Sequence, residues 1–442
     1  MPNTIEKTRP EDRFASAFEM HEGHTLNGSN ARLQGLRKEA FARFADLGFP
    51  TTKHEAWRYT NIARALSHDY QLRLRPDAPA LSAADLAPLR IPGLDAYLAV
   101  LVDGRFAADL SELDGLPEGV VVAGLAEANE RHTELLNRHL GRYAPHGDEA
   151  FAALNTAFTQ DGLFVYLPRN AVLDRPVHVV QILRADEDVF VQPRNLFVFE
   201  QGSQARFVET GESLTEAKTF TNAVDEVYVG PGANVRWYKV QREGAKASQV
   251  SGTHVYQERD SAFFLHTVTL GGALVRNNVS VLPDGENCET HLFGLFLPRG
   301  DEHVDNNTFV DHARPNCYSH ELYKGVLDDR STGVFNGKVF VRQDAQKINA
   351  FQENNALVLS PDARMFSKPE LEIYADDVKC SHGATSGQLD PDAMFYLRQR
   401  GLSRRQAQAV LLLAFARDVL DSIAIEPLRA WVDAQVAERF HD

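Results

Sequence analysis

Cysteine is scarce in this chain: there are three in 442 residues, Cys288, Cys317 and Cys380. An odd number without regular spacing does not make a disulfide framework. Long apolar runs are also missing. The longest, Ala409 to Ala416, falls far short of the ~20 residues of a spanning helix. The opening MPNTIEKTRPEDRF lacks the apolar centre of a signal peptide. Basic residues are outnumbered 46 to 61, for a formal charge of −15, and such a field repels nucleic acid and anionic membranes. Catalytic motifs are absent too. GVFNGKVF, Gly333 to Phe340, places Val339 where a phosphate-binding loop needs a hydroxyl, and no GxGxxG after a strand, GxSxG or HExxH occurs. These absences lead us to expect a cytoplasmic protein with reduced thiols, no nucleic-acid or membrane partner, and no ATP hydrolysis of its own.

What is present falls into blocks, in a chain long enough for two to four units. Residues 1–95 read as an N-terminal helical domain. Leu33, Leu36, Ala40, Phe41 and Phe44 recur at helical spacing, and Pro76 to Gly93 reads as a connector. Residues 96–160 read as a mixed α/β connecting region, with AYLAVLVDG as a strand ending in an Asp-Gly turn and AEANERHTELLNRHL as helix. From 161 to 388 short β-rich words recur. Their turn marks Gly202, Gly232, Asp260 and Gly285 are separated by 30, 28 and 25 residues. Rungs of that size point to a β-solenoid or a sandwich, and spacing alone leaves both open. We favour a right-handed parallel β-helix core, mainly β with helical ends. The terminal helical blocks are natural caps for a solenoid's open ends, and a free sheet edge makes a homodimer of the isolated chain an expectation. Residues 389–442 read as a helical module. Asp390-Pro391 starts one helix and Gly401 ends it, Ser403 caps the next, and Pro427 lies near the start of the third.

The richest stretch runs from Lys368 to Ser403, KPELEIYADDVKCSHGATSGQLDPDAMFYLRQRGLS. Leu371, Ile373 and Val378 read as buried positions of an extended segment. Cys380 and His382, at i and i+2, share one strand face about 6.6 Å apart at Cα. Thiolate and imidazole suit iron–sulfur clusters and zinc, yet two donors cannot close a tetrahedral site, so this is at most half a site. By position alone, His382 before Gly383 reads as a turn histidine at a strand end. Cys288 with His291 and Cys317 with His320 are two looser pairs, and both cysteines read as packing residues. In the last block Val410, Leu411, Ala414 and Phe415 form an apolar stripe that Leu412, Leu413 and Ala416 widen beyond one face. It faces either a partner or the protein's own solenoid. A rival reading, a carbohydrate-active β-helix enzyme, would draw on Asp328, Asp329, Asp376 and Asp377 as acid and base. Adjacent aspartates point to opposite strand faces, however, and suit turns. A structural dimerisation partner without any ligand role is a further alternative.

The words ENNALVLSPDARMFSKPELEIYADDVKCSHGATSG (Glu353 to Gly387), MFYLRQRGLS (Met394 to Ser403) and LGFPTTKHEAWRYTNI (Leu47 to Ile62) resemble the SufB/SufD family of iron–sulfur cluster assembly proteins, the SufD branch more than the SufB branch. The stretch Ser360 to Pro369, SPDARMFSKP, lacks the cysteine that SufB carries in a CGAHT-like word. The resemblance implies a parallel β-helix and a non-enzymatic scaffold. It also implies pairing with a SufB-like paralogue and docking of SufC-like ABC ATPases on the C-terminal helices, where Val410, Leu411, Ala414 and Phe415 lie. His382 would be a transient cluster ligand shared with the partner subunit. Cys380 adjoins it in a less defined role. No stably bound cofactor is implied, only a transient iron–sulfur cluster at the interface.

Overall fold

In a computed structural model, residues 10–21, 31–72, 81–145 and 147–441 are described. The first residues of the Pro76–Gly93 connector and the start of the N-terminal block lie outside them. The body is a flattened parallel β-solenoid in which each turn contributes one strand to each of two facing sheets. One sheet runs from Val121–Gly124 and Leu163–Leu167 through Arg194–Phe199, Thr219–Val229, Ala247–Gln257, Leu274–Pro283, His303–His312 and Thr332–Val341 to Arg364–Ile373. The other runs from Tyr97–Val102 and Val177–Leu183 through Gln204–Ser213, Asn234–Arg242, Ala262–Thr269, Glu289–Phe296, Tyr318–Leu327 and Ile348–Val358 to Val378–Gly387. A turn consumes 26 residues where Ser248 pairs with Leu274, and 32 where Thr332 pairs with Arg364. Both sheets reach back before residue 161: Tyr97–Val102 pairs in parallel with Val177–Leu183, and Val121–Gly124 pairs antiparallel with Leu163–Leu167.

The recurring turn residues have a common physical cause. Asn170, Gly202, Gly232, Asp260, Asn287, Asn316 and Lys347 all adopt φ between +59° and +71°, a left-handed corner that Gly, Asn and Asp tolerate best. Each donates its N–H to a carbonyl of the next turn: Gly202 to Pro231, Gly232 to Arg259, Asp260 to Glu286 and Lys347 to Asp377, at 2.9, 3.0, 2.8 and 2.6 Å. Gly285 marks its turn for a different reason. A Cβ there would meet the Arg259 amide nitrogen at 1.9 Å, and the left-handed residue of that corner is Asn287.

The sheets enclose an apolar core that includes Phe197, Phe207, Trp237, Leu265, Leu292 and Phe335. The terminal helices do not cap the solenoid's ends, as expected from sequence; they cover its faces. Phe14, Phe44 and Trp57 from the N-terminal region pack on Phe190, Phe220 and Val250 of the first sheet. Leu412, Ala416, Val419, Leu428 and Val432 from the C-terminal helices pack on Val240, Val268, Leu295 and Val326 of the second. Faces rather than ends are covered because each sheet's outer surface offers far more apolar area than the end of a two-strand turn. The LGFPTTKHEAWRYTNI word is a strap over the first sheet. Trp57 stacks on Phe151 with the Arg276 guanidinium 3.9 Å from its ring centroid. Thr60 donates to Asp305 at 2.5 Å, Tyr59 stacks on Phe366 at 4.3 Å, and Glu55 pairs with Lys368 at 2.6 Å. The strap thus reaches the last turn along one face and leaves its end open.

Candidate functional site

The last turn is where the two sheets stop. Arg364–Ile373 and Val378–Gly387 end their sheets, and among the described residues no strand lies beyond either edge. With nothing stacked above them, Leu371 and Val378 are only half-buried and Ile373 is 38% exposed, less covered than their alternation predicts. Such open edges offer a row of unpaired backbone groups to another strand.

Cys380 and His382 lie on this terminal strand, and register assigns both to its inward face. Cys380 stacks on Ala350 and Ser319, both fully buried, and His382 stacks on Gln352 and Glu321. The shared face read from the i, i+2 spacing holds. The turn reading of His382 does not, because the strand continues to Gly387. Cys380 is half-buried beside Ala350, and burial pushes its thiol above the ordinary range, against a backbone hydrogen bond from Ala350. His382 is exposed.

Beneath His382 lies a polar column that sequence reasoning missed. Glu321 is fully buried; burial pushes its carboxyl up to about 7, against hydrogen bonds from Thr308 (2.5 Å) and Gln352 (3.1 Å). Gln352 is fully buried as well, and its Oε1 has no hydrogen-bond partner. The signal for Gln352 was a position 30 residues before His382, one turn of the repeat, just outside the Glu353–Gly387 word.

The other candidates separate. Cys288 and Cys317 stack in adjacent turns inside the solenoid, each sulfur 3.2 Å from the Gly285 carbonyl oxygen. His291 and His320 stack on the outer face of the same sheet, rings 6.2 Å apart. Alternation along the strand thus divides each loose Cys/His pair between two faces. The thiols influence one another: the Cys317 hydrogen bond pushes Cys288 down, and that same contact pushes Cys317 up. Among the described residues, no group of three or more His, Cys, Asp or Glu side chains is placed to hold a metal ion. Asp328–Asp329 and Asp376–Asp377 sit at opposite corners of the turns. Asp329 is left-handed and accepts from the Gly300 N–H, so the four form no acid/base pair across a groove.

The C-terminal punctuation holds. The Asp390 side chain accepts from the Asp392 N–H, and Ser403 and Gln406 form a capping box on Arg404–Leu420. The apolar stripe divides. Ala409, Leu412, Ala416, Val419 and Leu420 are the buried row, Val410 (44%) and Ala414 are exposed, and Leu411 and Phe415 are half-buried. Phe415 is tied inward, its carbonyl accepting from Lys324 Nζ at 2.9 Å and its ring 4.5 Å from that ammonium. The largest exposed apolar side chains of the module are Phe395 (64%) and Tyr396 (57%) on Pro391–Gln399.

No described helix is long and apolar enough to cross a membrane. Residues 182–415 match the family model for the SUF system FeS cluster assembly SufBD core domain, and residues 8–179 match that for the SufBD protein N-terminal region. An iron–sulfur cluster assembly SufBD family protein of Synechocystis sp. is 32% identical over 406 residues, covering 90% of this chain and 89% of its own. The iron–sulfur cluster assembly protein SufD of Escherichia coli is 29% identical and that of Bacillus subtilis 28%. They cover 94% and 90% of this chain and 95% and 92% of their own. Matched along nearly its whole length, from the strap over the first sheet to the open last turn, the chain belongs to the SufBD family of iron–sulfur cluster assembly proteins.

Proposed function

We propose that this chain is a SufD-type scaffold subunit that catalyses no step itself. It pairs with a SufB-like paralogue through the open edges of its last turn and carries SufC-like ABC ATPases on its C-terminal helices. The observation that carries the reading is the placement of His382 and Cys380 on the inward face of a terminal strand whose outer edge is open, in a member of this family. A partner strand added to each open edge would extend both sheets and bring the partner's donors next to the imidazole. The nascent iron–sulfur cluster is cargo at that junction. His382 supplies a neutral ring nitrogen to it, and Cys380 lies a half-buried thiol deeper. Two donors from this chain do not suffice, which is why the remainder comes from the partner.

The same edges support a homodimer when the chain is alone. ATPase docking is best supported at Val410 and Ala414 together with Phe395 and Tyr396, the apolar positions the fold leaves outward. Tagged purification from native cytosol tests the assembly. Stoichiometric recovery of an ABC-type ATPase and a β-helix paralogue is expected, and recovery of this chain alone at low salt with ATP present would overturn it.

A further inference from the structure

The polar column under His382 has an internal polarity. Glu321 lies inside the solenoid, fully buried, and both of its carboxyl oxygens are engaged as acceptors. Thr308 and Gln352 both donate to it. Gln352 turns its NH2 toward Glu321, so its Oε1 is not the atom that meets that carboxyl. That oxygen is inaccessible to solvent and has no partner within the structure. A buried acceptor left unpaired costs about 1–3 kcal/mol. The residue stacked on Gln352 in the next turn is His382, one strand spacing of about 4.8 Å away.

Two neighbouring features fit this direction. Gly337 faces Gln352 across the lumen, and a Cβ there would meet the amide nitrogen at 2.5 Å, so the amide occupies space only a glycine leaves. Asn354, two residues on, repeats the arrangement: its Nδ2 donates to the Tyr323 carbonyl at 3.2 Å, and its Oδ1, also buried, has no partner. Two amides therefore spend their donors on the turn below. Each keeps a buried oxygen without a partner.

We infer that Gln352 is a positioning residue for His382. The imidazole does not reach Oε1 in the structure as it stands; turned inward, the exposed ring would place one N–H on that oxygen, with Glu321 fixing the amide's orientation from below. The consequence is one defined tautomer, whose outward nitrogen keeps its lone pair free for a metal. Ligating histidines generally have the other ring N–H held in this way. The assignment of a use to that lone pair rests on the proposed ligand role of His382; the hydrogen bond itself does not.

Long-range 15N–1H spectra of the 15N-histidine-labelled full chain test it, with the His382 signals identified by their loss in His382→Gln. The expected wild-type result is a single protonated ring nitrogen. In Gln352→Met, which keeps the volume and removes the acceptor, the ring should revert to the tautomer mixture of free imidazole. Glu321→Gln preserves shape but lets either amide end face Gln352, and it should relax the preference even if Gln352→Met fails to fold. An unchanged single tautomer in either variant would overturn the inference. In the assembled complex, Gln352→Met should also lower cluster yield by about tenfold. A tautomer that shifts while yield stays constant would leave the positioning intact and count against the ligand reading of His382.

Discussion

Arg194 and Glu226 meet 2.5 Å apart on adjacent turns of the solenoid, with side chains 1% and 0% exposed. The carboxylate also accepts from four successive backbone N–H groups, those of Gly141, Arg142, Tyr143 and Ala144, at 2.7 to 3.3 Å. Burial pushes this carboxyl up, but Arg194 and the amides outweigh burial and hold it below the usual range. One side chain thereby staples the segment after the Thr133–His139 helix to the first sheet.

Removing the staple leaves Arg194 buried and unpaired. Glu226→Ala should therefore cost about 3–5 kcal/mol in denaturant unfolding. Because the folded pKa is depressed, the carboxylate's contribution is present above its unfolded pKa and lost as pH falls through the folded one. Glu226→Gln should flatten that acid limb, and an unchanged acid profile would contradict the assignment.

Glu321 has the opposite sign. Its folded pKa is raised from 4.5 to about 7, so the stability associated with its protonated form is complete below the unfolded value and is lost as pH rises through 7. Glu321→Gln should remove most of the decline between about pH 4.5 and 7, a difference of order 3 kcal/mol at the upper bound. Thermal midpoints of wild type and variant across that range measure it; parallel curves would contradict the burial argument.

Trp57 belongs to a strap near the chain's start that is fastened to the solenoid far along the sequence. Trp57→Ala should destabilise by about 3–5 kcal/mol through lost packing on Phe151 and Arg276. Tyr59→Ala, at a 38% exposed position stacked on Phe366, should cost far less. Equal losses would mean the strap is held by its tip rather than by its buried ring.

Several of these relationships were legible in the sequence. The turn marks at Gly202, Gly232 and Asp260 are true left-handed corners, because a residue type that tolerates positive φ is visible without coordinates. Cys380 and His382 share a face because strand periodicity is local. Gln352 and Glu321 stayed hidden because their relation to His382 depends on the number of residues in each turn, which varies from 26 to 32. The covering of faces rather than ends was hidden for a related reason. An apolar helix stripe shows that something is buried, not which surface buries it, and so Leu411 and Phe415 were grouped with Val410 and Ala414.

That grouping changes the docking test. Polar substitutions at Leu411 or Phe415 would disturb the protein's own packing, so Val410→Asp and Ala414→Arg are the informative variants. Each should abolish capture of the ATPase in a co-purification while leaving the unfolding free energy within about 0.5 kcal/mol of wild type. Undiminished capture would remove this face from the interface.

The most direct test of the central claim is cluster yield in the assembled complex with His382→Ala. The imidazole is exposed at an open edge, so its removal should leave folding and assembly unchanged. The account predicts a complex of normal composition that fails to accumulate its iron–sulfur chromophore. A wild-type chromophore in that variant would contradict it.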